Sequence, residues 1–246
     1  MTNPAAALDP AIEPYKRLIV ALDVPTAAEA LSVVNELRGQ VGAFKVGLQL
    51  FTAAGPEFVK KLTSSGVNIF LDLKFHDIPN TVASAAAEAA RLGVWMFNVH
   101  ATGGSKMMAQ AKRSLDEVCE RESIERPLLI AVTVLTSSDD SGLREIGINQ
   151  SVDEQVRTLA KIAAAAGLDG VVASAREVPL IRKTSGTETL ITVTPGIRAT
   201  TATNDDQKRV MTFSEAIAAG SDYIVAGRPV IQARDRSAAV AELLAS

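Results

Sequence analysis

The chain has 246 residues, 47% of them hydrophobic and 22% charged, with a formal net charge of −3. That length suits one large domain with a sizeable core, and so mild a charge gives no footing for a nucleic-acid or acidic-membrane partner. Cys119 is the only cysteine, which excludes an intramolecular disulfide and a cysteine metal cluster and suits a reducing, cytoplasmic setting.

Residues 1–14 are rich in Ala and Pro and lack the basic start and apolar run of a signal peptide. No stretch approaches 18 uninterrupted apolar residues, so no membrane span is expected. We read 1–14 as an N-terminal extension and 15–246 as one folded domain. A β-rich run at Leu18–Asp23 is followed by a helical pattern over 26–38, and a second run at Ala43–Val46 by a helix over 52–65. Asn68–Lys74 leads to 80–92, Met96–His100 to 104–121, and Leu128–Thr133 to 151–166. Gly170–Ala173 leads to 175–185, Leu190–Thr194 to 212–219, and Tyr223–Ala226 to 236–245. Gly66, Gly93, Gly167 and Gly220 stand just before strands, where a helix needs a C-terminal cap. Strands alternating with helices indicate βαβ units and a parallel sheet. Eight units without a linker favour an α/β fold of the closed (β/α)8 TIM-barrel kind. The alternative, a doubly wound open sheet, lacks its Gly-x-Gly-x-x-Gly after the first strand. The polar stretch 197–210 is the one long segment without a predicted element, and loops of that kind commonly serve function.

In such a barrel the active site lies at the C-terminal ends of the strands. Polar groups collect at the predicted ends: Asp23, Lys45, Asp72 with Lys74, His100, Thr133–Ser137, Pro195–Arg198 and Gly227–Arg228. The third strand is the most informative. Asp72 and Lys74, at i and i+2, face the same way, Asp77 follows, and Pro79 ends extended pairing. Charges on the inward side of an apolar strand are costly without good partners. Each residue also has a plainer reading. Asp23 suits a cap of the first helix and Asp77 a cap of the third, Lys45 a snorkelling lysine, His100 a core histidine, and Arg228 a surface residue. His76 and His100 are unclustered, which argues against a dedicated metal site.

The last two strands lead into Thr194-Pro195-Gly196 and Ala226-Gly227-Arg228-Pro229. Glycines allow close backbone approach, Pro229 suits the first turn of a short helix, and loops after strands 7 and 8 are the usual phosphate site of this fold. Arg228 and Arg198 would add charge-assisted hydrogen bonds, so a phosphorylated small molecule is expected. A Schiff base needs a neutral amine, whereas Asp72 and Asp77 would stabilise the Lys74 ammonium. With Lys45 they form alternating charges, an arrangement suited to protonating a carbon that is losing CO2.

The runs Ala21-Leu22-Asp23, Phe44-Lys45-Val46-Gly47, Leu71-Asp72-Leu73-Lys74-Phe75-His76-Asp77-Ile78-Pro79-Asn80-Thr81, Asn98-Val99-His100-Ala101, Val132–Ser137, Thr194-Pro195-Gly196-Ile197-Arg198 and Val225-Ala226-Gly227-Arg228 together resemble the bacterial orotidine 5′-phosphate decarboxylase family, from about Leu18 to Leu244. The resemblance implies cofactor-independent decarboxylation of orotidine 5′-monophosphate (OMP) to UMP in pyrimidine synthesis. It implies Lys74 as proton donor to pyrimidine C6, Asp72 beside the departing carboxylate, and Lys45 and Asp77 completing the array. Lys45 and Asp23 would hold ribose hydroxyls and Thr136 would lie by the pyrimidine. Pro195, Arg198, Gln207, Gly227 and Arg228 would bind the substrate, largely at its phosphate, which makes 197–210 a lid. Asp77 and Thr81 would reach the neighbouring subunit's site in a homodimer. No metal or organic cofactor is expected.

Three rival readings remain at this level. Mg-dependent sugar-phosphate decarboxylases or synthases of related barrels share Asp-x-Lys-x-x-Asp, although the His76-Asp77-Ile78-Pro79 continuation and Thr-Pro-Gly-Ile-Arg argue against them. The others are a non-catalytic nucleotide-binding barrel and a Schiff-base aldolase.

Overall fold

The structure, a computed structural model, describes residues 12–197 and 211–246. Residues 1–11, Arg198, Gln207 and nearly all of the expected lid lie outside them. Eight parallel strands close in sequence order, with the first pairing the last. They are β1 (Leu18–Ala21), β2 (Ala43–Gly47), β3 (Ile69–Phe75), β4 (Met96–His100), β5 (Leu128–Val132), β6 (Gly170–Val172), β7 (Ile191–Pro195) and β8 (Tyr223–Ala226). The expected barrel is the observed one. β1 stops two residues short of Asp23, which therefore sits on the loop above the strand.

The helices are α1 (Ala27–Leu37), α2 (Leu48–Ser64), α3 (Pro79–Arg91), α4 (Gly104–Glu122), α5 (Asp140–Glu145), α6 (Val152–Ala165), α7 (Val178–Arg182), α8 (Phe213–Ala218), α9 (Arg228–Ile231) and α10 (Arg236–Leu244). Three differ from the sequence reading. α2 begins four residues earlier, and Gly55 at φ 72° followed by Pro56 breaks it into two pieces. The helix expected over 175–185 contracts to the five residues of α7. α5 was not expected, although Asp139 caps it by accepting a 2.8 Å hydrogen bond from the Gly142 N–H. The four glycines read as helix ends all have left-handed φ, from 69° at Gly93 to 100° at Gly220. Pro14 opens a 3-10 turn, Pro14–Arg17, leading into β1.

Two apolar clusters follow from the period of two along each strand. Ile19, Ala21, Ala43, Phe70, Met96, Ile130, Ile191, Val193 and Val225 fill the barrel interior. Their alternates, Leu18, Val20, Phe44, Val46, Leu71, Phe97, Val99, Leu129 and Ile224, pack outward on the helices. At the N-terminal mouth two Asp–Arg pairs tie strand starts together. Asp169 accepts from the Leu129 N–H at 2.7 Å and from Arg126 at 2.8 Å. Asp222 accepts from the Thr192 N–H at 2.7 Å and is also paired with Arg182. Each carboxylate satisfies a buried N–H while its own charge is matched, as burial requires. Trp95 meets Tyr223 edge-on at 5.0 Å on the same side.

Candidate active site

At the C-terminal mouth the inward positions of the first three strands turn from apolar to charged. Above Ala21 comes Asp23, above Ala43 comes Lys45, and above Phe70 comes Asp72. The side chains join in one line: Asp23 Oδ1 to Lys45 Nζ at 3.4 Å, Lys45 Nζ to Asp72 Oδ2 at 3.3 Å, and Lys74 Nζ to Asp72 Oδ1 at 2.6 Å. Exposure falls inward, from 52% for the Asp23 side chain to 13% for those of Lys45 and Asp72. Asp23 is not the cap of α1, since Thr26 holds that place by accepting from the Glu29 N–H. Glycines leave room for this line. A Cβ on Gly47 would come within 3.1 Å of Lys45 Nζ, and one on Gly227 within 3.1 Å of Asp23 Oδ2.

Lys74 reaches Asp72 by an irregular route. The register of β3 against β4 shifts between Leu71 and Phe75, and Lys74 lies in the left-handed region at φ 54°. A bulge re-aims side chains, and a non-glycine residue in this region costs on the order of 1–3 kcal/mol unless its surroundings hold it. The holding group is Asn98 on β4, only 1% exposed. Its Oδ1 accepts from the Lys74 N–H at 2.8 Å, and its Nδ2 donates to Asp72 Oδ1 at 2.7 Å. The sequence reading missed this contact. Its signals were a polar residue in the apolar run Met96-Phe97-Asn98-Val99 and its place in the Asn98-Val99-His100-Ala101 run.

Burial acts to raise the Asp72 pKa, but the Lys45 and Lys74 charges and the hydrogen bonds from Lys74 and Asn98 outweigh it. The carboxyl is held below its ordinary 3.8. Asp72 therefore stays ionised at neutral pH and has no proton to give. His100 also borders this group, its ring 5.6 Å from that of His76. Burial, followed by the neighbouring His76 and Lys74, lowers its pKa.

The remaining candidates lie around the mouth. Asp77 follows β3, outside the line of four, and accepts from the Ile78 N–H at 2.6 Å. It is not the N-cap of α3, whose cap position is Ile78. Thr81 is exposed on the first turn of α3, and Ile78 beside it is 67% exposed. Thr136 is exposed on the loop after β5, Pro195 ends β7, and Gly227 and the exposed Arg228 open α9 after β8. The structure thus brings Asp23, Lys45, Asp72 and Lys74 into direct contact and sets Asp77, Thr81, Thr136, Pro195, Gly227 and Arg228 on surrounding loops, helix starts and the end of β7.

Comparison with known proteins identifies the family. Residues 16–243 match the profile of the orotidine 5′-phosphate decarboxylase / HUMPS family. A protein of Syntrophotalea carbinolica named orotidine 5′-phosphate decarboxylase is 55% identical over 91% of each chain. One of the same name from Geobacter sulfurreducens is 52% identical over 93% of this chain and 95% of its own. The crystal structure of orotidine 5′-phosphate decarboxylase from Lactobacillus acidophilus superposes with a TM-score of 0.79 at 40% identity, covering 92% of this chain and 96% of that one.

Proposed function

This chain belongs to the orotidine 5′-phosphate decarboxylase / HUMPS family, and from that premise we propose that it decarboxylates OMP to UMP and CO2 without metal or organic cofactor, as a cytoplasmic enzyme of pyrimidine synthesis. The observation that carries the proposal is the Asp23–Lys45–Asp72–Lys74 line at the barrel mouth. The catalytic domain in this reading is 15–246, with 1–14 as an extension.

In this mechanism the C6–carboxylate bond breaks, its electron pair stays on C6, and CO2 leaves. Lys74 Nζ delivers a proton to C6 and regains one from water. Asp72, kept anionic by the two lysines, stands beside the departing carboxylate. Lys45 offsets charge between Asp23 and Asp72, and Asp23 and Lys45 hold ribose hydroxyls. Thr136 borders the pyrimidine. Pro195, Gly227 and Arg228, with Arg198 and Gln207 from the lid, take the phosphate end. Asp77 and Thr81 serve the site of the neighbouring protomer in a homodimer, which is in keeping with Asp77 standing outside its own line and with the exposed Ile78 beside it. Preorganised charges aimed at a developing carbanion act strongly in a site shielded from water.

The family description covers two kinds of enzyme, and the relatives at 49–55% identity carry the name of the first. The test is direct. EDTA-treated protein is mixed with OMP and orotate absorbance is followed. Rapid loss with UMP as product is expected, whereas inertness until Mg2+ and a sugar phosphate are supplied would assign the chain to the second kind.

A further inference from the structure

We propose that Asn98 is a positioning residue of this site, holding both Asp72 and Lys74 in working geometry without touching substrate. The inference rests on the decarboxylase reading above and adds a residue to it. One amide spans the two groups: its oxygen takes the backbone N–H of Lys74 at 2.8 Å and its nitrogen donates to Asp72 at 2.7 Å. Each contact meets a separate need. The bulge in β3 removes Phe75 from simple register and leaves Lys74 at φ 54°, so its N–H cannot serve the regular ladder. Asn98 supplies the acceptor that makes this backbone turn affordable. Asp72 Oδ1 also receives Lys74 Nζ at 2.6 Å, and the Asn98 donor fixes which way that oxygen faces.

The placement suits this task. Asn98 is inward on β4, opposite Ile130 of β5 and above Met96, and is 1% exposed. A buried primary amide is costly unless its groups are matched, and here the matching partners are the two residues the mechanism needs most. The titratable groups around it are Asp72, Lys74, His100 two residues further along β4 with His76 beside it, and, beyond Asp72, Lys45. A carboxamide adds hydrogen bonds without adding charge, so the balance of the line is untouched.

Two variants separate the two contacts. Asn98→Ala removes both. Asn98→Asp keeps an acceptor for the Lys74 N–H but turns an oxygen toward Asp72, so the two carboxyls compete for one proton. The expected result, per nucleotide-binding site, is a kcat loss of about 10²-fold in Asn98→Ala, because small misplacements of reacting groups are costly. UMP affinity should stay within about threefold. In Asn98→Asp, kcat should fall and the acid limb of the pH–rate profile should move to higher pH. A folded variant of either kind with wild-type kcat and an unshifted profile would overturn the inference, and Asn98→Asp decides it alone if the alanine variant does not fold. Wild-type protein is run beside them. If it is inert toward OMP, the decarboxylase reading fails separately, and Asn98 is then judged by NMR titration of Asp72. A raised carboxyl pKa on loss of the amide donor supports the contact, and an unchanged one refutes it.

Discussion

At the scale of single residues, the proposed mechanism rests on an ionised Asp72 in direct contact with Lys74. Lys74→Ala should abolish turnover while UMP binding, measured calorimetrically, persists, because the proposed phosphate contacts lie on other strands; near-wild-type rates would remove Lys74 from the mechanism. The low pKa of Asp72 has a sign that can be checked. A carboxyl depressed in the folded state contributes stability above about 3.8, lost as pH falls through its lower folded value. Glu177 behaves in the opposite sense. It lies on the loop between β6 and α7, and its carboxylate accepts from the Ser174 N–H at 2.8 Å. Burial pushes its pKa from 4.5 up to about 7, against the lowering effect of that bond. Its stability contribution is therefore complete below about 4.5 and lost as pH rises through about 7. Glu177→Gln should flatten this dependence and raise the melting temperature at pH 8, with an effect of up to about 3 kcal/mol. An unchanged pH–stability profile in that variant would show that Glu177 is not the group responsible.

At the scale of elements, strand alternation carried most of the reading. Inward Ala43 and Lys45, and inward Phe70 and Asp72, follow from a period of two, so their shared face was legible from spacing. What spacing could not show was the bulge that turns Lys74. Asp72 and Lys74 were expected to meet as regular i and i+2 neighbours. They meet, but through a left-handed residue pinned from the adjacent strand, and a local pattern carries no information about a neighbour 24 positions away. α2 differs from its expected span at its start and α7 at both ends, because packing on the barrel as well as local propensity sets helix bounds. α5 carries a readable signal in its N-cap, Asp139. Glycine at the strand contacts gives a sharp test. A Cβ at Gly170 would collide with the carbonyl oxygen of Ile191 on the paired strand. Backbone cannot yield as a side-chain end can, so Gly170→Ala should destabilise by roughly 1–3 kcal/mol or more in urea unfolding. A loss under ~0.5 kcal/mol would mean that β6 and β7 separate more freely than this pairing implies.

At the scale of the whole molecule, the proposal requires two copies, with Asp77 of one completing the site of the other. Lys74→Ala and Asp77→Ala protomers, each inactive alone, should regain roughly a quarter of wild-type activity after mixing and exchange, since half the dimers would be mixed and each would hold one intact site. No recovery in demonstrated heterodimers would confine Asp77 to its own subunit. By itself the sequence determined the eightfold alternation, the charged strand ends and the motif shared with the family, because these are periodic or contiguous along the chain. Only the tertiary structure decided that Asp23 pairs with Lys45 rather than capping α1, that Asp72 bridges two lysines, and that Asn98 ties β4 to the bulged end of β3. Those contacts arise where barrel closure and strand register bring distant residues together, and hydrogen bonds between such residues leave no spacing to read in the chain.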